Sequence, residues 1–129
     1  MCENIIYIDD NEFEHFNVEI LVKEHSTCNI KCFFDGREVL KFLVQSKSDT
    51  SGIPDVIFLD LSMPEFTGWD FLEEFSKISV ELCKQPHVYI LSSNVDEESV
   101  SRSTTYSFVR KFIPKPLTHH IFEELNNLS

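Results

Sequence analysis

Five short runs of apolar residues recur along the chain, and each run predicts a β-strand. The predicted strands cover residues 4–8, 28–34, 55–59, 87–91 and 107–113. The first and third runs are apolar almost throughout and stop abruptly at aspartate, a pattern typical of strands that are buried on both faces. Such strands belong in the middle of a parallel sheet that is covered on both sides.

Apolar residues at helical spacing follow the predicted strands. Helices are expected over residues 11 to about 25, after a turn at residues 35–36, after Gly68, and from about Thr118. The residues that mark these helices are Phe13, Phe16, Ile20 and Leu21, then Val39, Leu40, Phe42 and Leu43, then Trp69, Leu72, Phe75 and Ile78, and finally Ile121, Phe122, Leu125 and Leu128. The polar segment 96–105 is only weakly helical by pattern and is counted as the fourth of five helices.

Alternating strands and helices predict an α/β fold in which a doubly wound parallel sheet of five strands is covered by five helices. A chain of 129 residues is long enough to bury roughly two-thirds of its unfolded surface around one core. No linker, repeat or low-complexity segment interrupts the pattern. Residues 1–129 are therefore expected to form a single domain.

Charge and cysteine usage narrow the possible binding partners and the expected cell compartment. The 22 acidic and 11 basic residues give a net charge of -11, which argues against direct binding to nucleic acid or to anionic membranes. No apolar run approaches the roughly 20 residues of a membrane span, and the first residues lack the features of a signal peptide. The four cysteines are scattered without metal-site spacing and are expected to be thiols. These features predict a cytoplasmic protein.

Polar residues of three chemical types end the predicted strands. They are Asp9 and Asp10 after the first, Asp60 after the third, Ser92 after the fourth and Lys115 after the fifth. Ligands of open parallel sheets bind at these carboxyl ends. Carboxylates about 5 Å apart repel by roughly 3 kcal/mol per pair at an effective dielectric constant of 20, so a cation such as Mg²⁺ is expected among them. A carboxylate can also accept a phosphoryl group as an acyl phosphate.

Four segments carry a resemblance to a known family. They are IYIDDNEFE, PDVIFLDLSMPEFTGWDFLEEF, LSSN and PKP, and the spacing of Asp60, Met63, Pro64 and Gly68 is the most specific part. In this order the segments resemble response-regulator receiver domains over essentially the whole chain, in particular stand-alone receivers like the chemotaxis regulator. The resemblance implies a flavodoxin-like sheet with strand order 2-1-3-4-5.

The resemblance also implies roles at the strand ends. Asp60 resembles the phosphoacceptor and Lys115 the invariant lysine. Asp10 resembles the direct acidic ligand of Mg²⁺, while Asp9 would act largely through metal-bound water. The backbone carbonyl of Ser62 would complete the protein contacts of the metal, together with Asp60.

Further positions resemble the switch of the family. Ser92 matches the hydroxyl residue that moves toward the phosphoryl group, and Phe112 matches a switch aromatic that is often tyrosine and here lacks a hydroxyl. Ser62 and Asn94 match positions that influence how fast the phosphoryl group is lost. The bond between Lys115 and Pro116 is expected to be cis.

The implied partners are a histidine kinase or a histidine phosphotransfer protein, and a downstream protein that the sequence does not identify. Since no output domain follows Ser129 in the sequence, the output is expected in another molecule. Motor control of the chemotaxis type and an intermediate phosphorelay step are equally open. Such a domain is not an enzyme in the usual sense, because it catalyses at most its own phosphorylation and dephosphorylation.

Several alternatives fit some of the same residues. Asp9 and Asp10 could simply cap the following helix. Ser93 has the same chemistry as Ser92 and could take its place. The chain could be a degenerate receiver that binds partners without phosphorylation. A haloacid-dehalogenase-type phosphatase would need aspartate at Ser62, and a nucleotide-binding protein would need a glycine-rich or hydroxyl-rich loop after the first strand. The histidines have no partners in the pattern, and His119 and His120 are expected to be solvated.

Overall fold

The computed structural model describes residues 3–126, with side chains to residue 125. Five strands form one parallel sheet in the order β2-β1-β3-β4-β5. The strands are β1 (Asn4–Ile8), β2 (Asn29–Phe33), β3 (Val56–Asp60), β4 (His87–Ser92) and β5 (Val109–Pro114). The predicted doubly wound α/β fold and its strand order are confirmed.

Five α-helices connect or follow the strands. They are α1 (Glu12–His25), α2 (Gly36–Gln45), α3 (Gly68–Ile78), α4 (Glu97–Ser103) and α5 (His120–Asn126), and a single 3-10 turn (Ser79–Glu81) extends α3. Residues of α1 and α5 pack on one face of the sheet, and residues of α2 and α3 pack on the other. Each strand alternates its side chains between these two cores, as the pleat requires.

Strand β3 lies at the centre of both cores. All of its residues are buried, and it pairs with β1 on one side and β4 on the other. Val56 and Phe58 belong to the core beneath α1 and α5, whereas Ile57 and Leu59 belong to the core beneath α2 and α3. Asp60 is thereby fixed at the end of the most enclosed strand in the sheet.

Helix α1 is present where it was predicted, but a different face of it is buried. Phe13 is 73% exposed and Phe16 is 65% exposed, while His15, Val18 and Val22 face the core. Positions two residues apart on a helix differ by about 200° in direction, so the exposed Phe13 and Phe16 lie on the side opposite the buried residues. The periodicity identified the helix correctly, but most of the apolar residues that mark it lie away from the face that packs on the sheet.

Helix α4 is better formed than its sequence pattern indicates. The Asp96 side chain caps it by accepting the N–H of Ser99 at 2.8 Å, and of its residues only Ser103 is buried. The guanidinium of Arg102 lies 4.2 Å from the centre of the Trp69 ring. Capping and this cation–π contact support a helix whose apolar pattern is weak because little of it faces the core.

The cysteines and the helix lengths bear on the expectations drawn from composition. Cys28, Cys32 and Cys83 are thiols, as predicted, whereas Cys2 and Leu128 lie outside the described residues. Within residues 3–126, every helix is too short or too polar to cross a membrane.

Candidate functional site

The structure brings the predicted strand-end residues together at one edge of the sheet. Asp9 follows β1, Asp60 ends β3, and Lys115 follows β5. The Lys115 ammonium lies 3.0 Å from Asp9 Oδ2 and 3.5 Å from Asp60 Oδ1. One cation thus bridges two carboxylates that are far apart in the sequence, and the residue that caps α1 is Asn11 rather than Asp9.

Asp9 is buried and both of its carboxylate oxygens are engaged by the protein. Oδ1 accepts the backbone N–H of Asn11 at 3.0 Å. Oδ2 accepts the Tyr7 hydroxyl at 3.0 Å and the Lys115 ammonium at 3.0 Å. With three donors on it, the Asp9 carboxylate has little freedom to turn toward another ligand.

Asp10 is exposed, unlike Asp9 and Asp60, which are buried. One carboxylate oxygen from each of the three residues lies within 4.8 Å of the other two. Oxygen ligands on short side chains suit a hard divalent cation such as Mg²⁺, which keeps several of its waters. The donor set therefore fits Mg²⁺, with Asp10 and Asp60 better placed for direct contact than the fully engaged Asp9.

The Asp60 carboxylate is poorly compensated. Its Oδ1 accepts the N–H of Ser62 at 3.2 Å and faces Lys115 at 3.5 Å. Burial, and then the negative charge of Asp9, raise the pKa of Asp60 to about 6 against the opposing effects of Lys115 and the Ser62 N–H. A carboxylate in this condition is stabilised by an added cation and is available as a nucleophile at neutral pH.

Lys115 is held in its charged form. Burial alone would lower its pKa, but the hydrogen bond to Asp9 and the charges of Asp9 and Asp60 outweigh burial and raise the pKa of Lys115. Its backbone N–H donates to the carbonyl of Ser92 at 2.9 Å, and its bond to Pro116 is cis, as predicted. The lysine is thus a permanent cation at the carboxyl edge.

The loop after β3 is fixed by close backbone contacts. The Gly68 N–H donates to the Leu61 carbonyl at 3.1 Å. A Cβ atom at Gly68 would lie 2.6 Å from the Leu61 Cα and 2.8 Å from the Asp60 carbonyl oxygen. Only glycine permits this approach. In the segment between Leu61 and Gly68, Glu65 has a φ of 61° and the Phe66 N–H donates to the Pro64 carbonyl. These two features form a tight turn.

Ser92 and its neighbours occupy the adjoining strand end. Ser92 is buried and Ser93 is exposed, so burial distinguishes the two serines that the sequence left equivalent. The Ser92 hydroxyl donates to the Asn94 carbonyl at 2.9 Å and accepts the Asn94 N–H at 3.1 Å. Asp60 pairs with Leu91 in the sheet, so Ser92 lies on the neighbouring strand one residue beyond the position opposite Asp60.

Phe112, Ser62 and Asn94 are the remaining predicted residues. Phe112 is partly buried on β5, pairs with Ile90 and packs against the core beneath α2 and α3. Ser62 is exposed, next to the acid cluster, and Asn94 is exposed in the loop after β4. Ser62 and Asn94 therefore lie at the rim of the site, and their predicted roles and the switch role of Phe112 stay predictions.

Sequence reasoning missed two residues that hold Asp9. The Tyr7 hydroxyl donates to its side chain, and the His15 Nε2–H donates to its backbone carbonyl at 2.6 Å. The His15 ring is stacked on Phe34 and meets Tyr7 edge-on. Residues two apart on a strand share a face, so the position of Tyr7 could have indicated its contact with Asp9. Nothing in the pattern indicated the burial of His15.

Comparisons with known proteins agree with this fold. The family described as the response regulator receiver domain matches residues 5–125. A two-component response regulator from Cytophaga hutchinsonii is similar over 98% of this chain and 95% of its own, with 21% identity and a TM-score of 0.87. A receiver protein from Dyadobacter fermentans DSM 18053 is similar over 95% of this chain and 94% of its own, with 25% identity and a TM-score of 0.79.

A third similar structure was solved with a metal. It is the receiver domain of the histidine kinase CKI1 from Arabidopsis thaliana complexed with Mg²⁺, with 20% identity, a TM-score of 0.78, and coverage of 95% of this chain and 91% of its own. Likeness at this identity concerns the fold. Because the family match extends over most of the sequence, this chain belongs to the response-regulator receiver domains of two-component signalling.

Proposed function

We propose that this protein is a phosphoacceptor switch of a two-component system or phosphorelay, and that Asp60 accepts the phosphoryl group. The observation that carries the proposal is the arrangement of Asp60 with Asp9, Asp10 and Lys115 at one sheet edge. The donor would be a phosphohistidine on a histidine kinase or a histidine phosphotransfer protein. Residues 1–129 would act as one receiver domain.

Asp10, Asp60 and the backbone carbonyl of Ser62 would hold Mg²⁺, with Asp9 acting through metal-bound water. When bound, Mg²⁺ would neutralise negative charge on the phosphoryl oxygens during transfer. The engagement of both Asp9 oxygens and the exposure of Asp10 support this division of roles. Ser62 lies directly beside the cluster, since its N–H already donates to Asp60.

The transfer itself needs an ionised acceptor. A carboxylate oxygen of Asp60 would form the new O–P bond, the P–N bond to the donor histidine would break, and its electron pair would remain on the imidazole. Lys115 would move from Asp9 Oδ2 toward a phosphoryl oxygen, a short distance because it already faces Asp60. The Tyr7 hydroxyl and the Asn11 N–H would continue to hold Asp9 while the lysine moves.

Output would begin at Ser92. Its hydroxyl would leave Asn94 for a phosphoryl oxygen, drawing the loop after β4 inward and allowing Phe112 to turn. The surface formed by α4, β5 and α5 would then be read by a separate partner protein. Ser62 and Asn94, at the rim, would set how easily water reaches the phosphoryl group.

The test is phosphorylation by acetyl phosphate with and without Mg²⁺, read by intact mass. We expect one added phosphoryl group on the wild type only when Mg²⁺ is present, and none on Asp60→Asn. Asp49→Asn, in an exposed loop, is the matched control and should label like the wild type. Labelling of Asp60→Asn would contradict the assignment of the acceptor. A wild type that binds Mg²⁺ but labels with neither acetyl phosphate nor a phosphohistidine donor would support the degenerate-receiver alternative.

A further inference from the structure

A second group of metal-binding side chains lies away from the acidic site, where the end of α1 meets the start of α5. The ring of His25, the last residue of α1, is stacked on His119 with a centroid distance of 4.9 Å. The rings of His119 and His120 lie 4.1 Å apart. Three of the five histidines in the sequence thus meet at one junction between two helices.

A carboxylate completes this cluster. Ligand atoms of His119, His120 and Glu123 all lie within 4.8 Å of one another. Residues three and four apart on a helix are neighbours on its surface, which explains how Glu123 reaches both histidines. The group therefore offers two imidazole nitrogens and one carboxylate oxygen to a common point.

The backbone beneath the cluster is fixed. The Ile121 N–H donates to the Thr118 carbonyl at 3.3 Å, and the Phe122 N–H donates to the His119 carbonyl at 3.0 Å. Ile121 and Phe122 are buried in the core beneath α1 and α5. The apolar side of this turn is anchored in the core, so its ligand-bearing side is presented on a rigid element near the surface.

We propose that His119, His120 and Glu123 bind a divalent transition-metal ion of the Zn²⁺ type, with water completing a tetrahedral shell. Two nitrogens and one oxygen match the ligand sets of such ions, whereas Mg²⁺ prefers oxygen alone. The acidic site offers only carboxylates, so the chain carries two cation sites of different chemical preference. The net charge of -11 also favours cations over anions at the surface.

His25 is assigned a positioning role. It stacks on His119 from the neighbouring helix and is itself 3.8 Å from the Glu24 carboxylate. Its ring restricts the orientation of His119 and so favours the arrangement that the metal needs. Binding would therefore connect the end of α1 with the start of α5, the two helices that cover the same face of the sheet.

Zn²⁺ titration by calorimetry tests the site, with excess Mg²⁺ present to occupy the acidic cluster. We expect one Zn²⁺ per chain, at least tenfold weaker binding in His119→Ala and in His120→Ala, and a similar loss in Glu123→Gln. Matched controls are Glu124→Gln, whose side chain instead pairs with Lys111, and His87→Ala on β4. His25→Ala should weaken binding by less than either ligand variant. Unchanged Zn²⁺ affinity in both His119→Ala and His120→Ala would overturn the proposal.

Proton NMR of the histidine rings gives an independent reading. Substoichiometric Cu²⁺ should broaden the ring signals of His119 and His120 first and that of His25 next, while those of His15 and His87 stay sharp. Equal broadening of all five would overturn the site. Acetyl phosphate labelling of the His119→Ala variant should equal that of the wild type, so a failure of this proposal is separate from a failure of Asp60 as acceptor.

Discussion

The aspartates at the two ends of β3 have opposite surroundings. Asp55, just before the strand, accepts the backbone N–H groups of Glu3 and Asn4 at 2.7 and 2.9 Å and pairs with Lys84. Asp60, at the other end, has one N–H donor and shares Lys115 with a second buried carboxylate. The first aspartate joins β1, β3 and the segment before β4, whereas the second is held among competing charges.

Their acidities differ accordingly. Burial would raise the pKa of Asp55, but the hydrogen bonds from Lys84 and from the Asn4 and Glu3 N–H groups outweigh burial and lower it. At Asp60, burial and Asp9 dominate and the pKa rises to about 6. The hydrogen-bond donors around a carboxylate therefore decide whether it has a structural or a ligand-binding role. A satisfied carboxylate stabilises the fold, and an unsatisfied one is suited to binding a cation or a phosphoryl group.

The largest expected effect comes from the backbone that supports the Asp60 end. Gly68→Ala places a Cβ atom against Leu61 and the Asp60 carbonyl, so the loop must move. We expect a loss of about 3 kcal/mol in unfolding free energy, together with weaker Mg²⁺ binding. Urea denaturation measures the first and calorimetry the second. Gly52→Ala, which meets only side-chain atoms of Asp49 and Ser46, is the control and should cost less than about 1 kcal/mol.

Asp55→Asn tests the structural end of the strand. Removing the charge weakens the pairing with Lys84 and the bonds from the Glu3 and Asn4 N–H groups, and we expect a loss of about 1–2 kcal/mol at pH 7. Because the folded-state pKa of Asp55 is lowered, its contribution is complete above the unfolded-state pKa and is lost as the pH falls through the folded-state value. The difference between variant and wild type should therefore shrink in acid. A constant difference from pH 7 to pH 3 would refute this account of Asp55.

Asp60→Asn should change the unfolding free energy in the opposite direction, by stabilising the protein. Without divalent cations we expect the variant to be more stable than the wild type by about 1 kcal/mol at pH 7, after allowance for solvent screening. The folded-state pKa of Asp60 is raised to about 6, so its destabilising effect is complete above that pH and fades as the pH falls from about 6 toward about 4. Thermal unfolding across this range measures it. Adding Mg²⁺ should favour the wild type, and a less stable variant without Mg²⁺ would contradict the comparison.

Tyr7→Phe should give the smallest effect, and it tests whether Asp9 controls the position of Lys115. With one donor fewer, Asp9 Oδ2 should hold Lys115 more firmly, so phosphorylation by acetyl phosphate should slow about two- to fivefold, which corresponds to one hydrogen bond of about 0.5–1 kcal/mol. Tyr106→Phe is the matched control, because its hydroxyl contacts Glu73 instead. Equal phosphorylation rates for Tyr7→Phe and Tyr106→Phe would show that Tyr7 does not influence the reaction through Asp9.

Much of this arrangement was predictable because parallel strands bring their carboxyl ends to one edge. That rule alone placed Asp9, Asp60, Ser92 and Lys115 near one another, whereas the strand order came only from the family resemblance. The packing face of α1 was not predictable from periodicity, since the helix has apolar residues on both sides and its buried stripe includes His15. The sequence pattern also hides contacts that depend on tertiary distances, such as those of His15 with Asp9 and of His25 with His119.

Ser92 has a consequence for the fidelity of a signal. Its hydroxyl is satisfied in both directions by Asn94, so under the proposed function two hydrogen bonds of about 1 kcal/mol each must be exchanged before it contacts a phosphoryl group. Spontaneous inward excursions are then rarer by roughly tenfold or more than for a free hydroxyl. Under the proposed function, this short loop would keep the output of the unphosphorylated protein low until a covalent phosphoryl group supplied replacement hydrogen bonds.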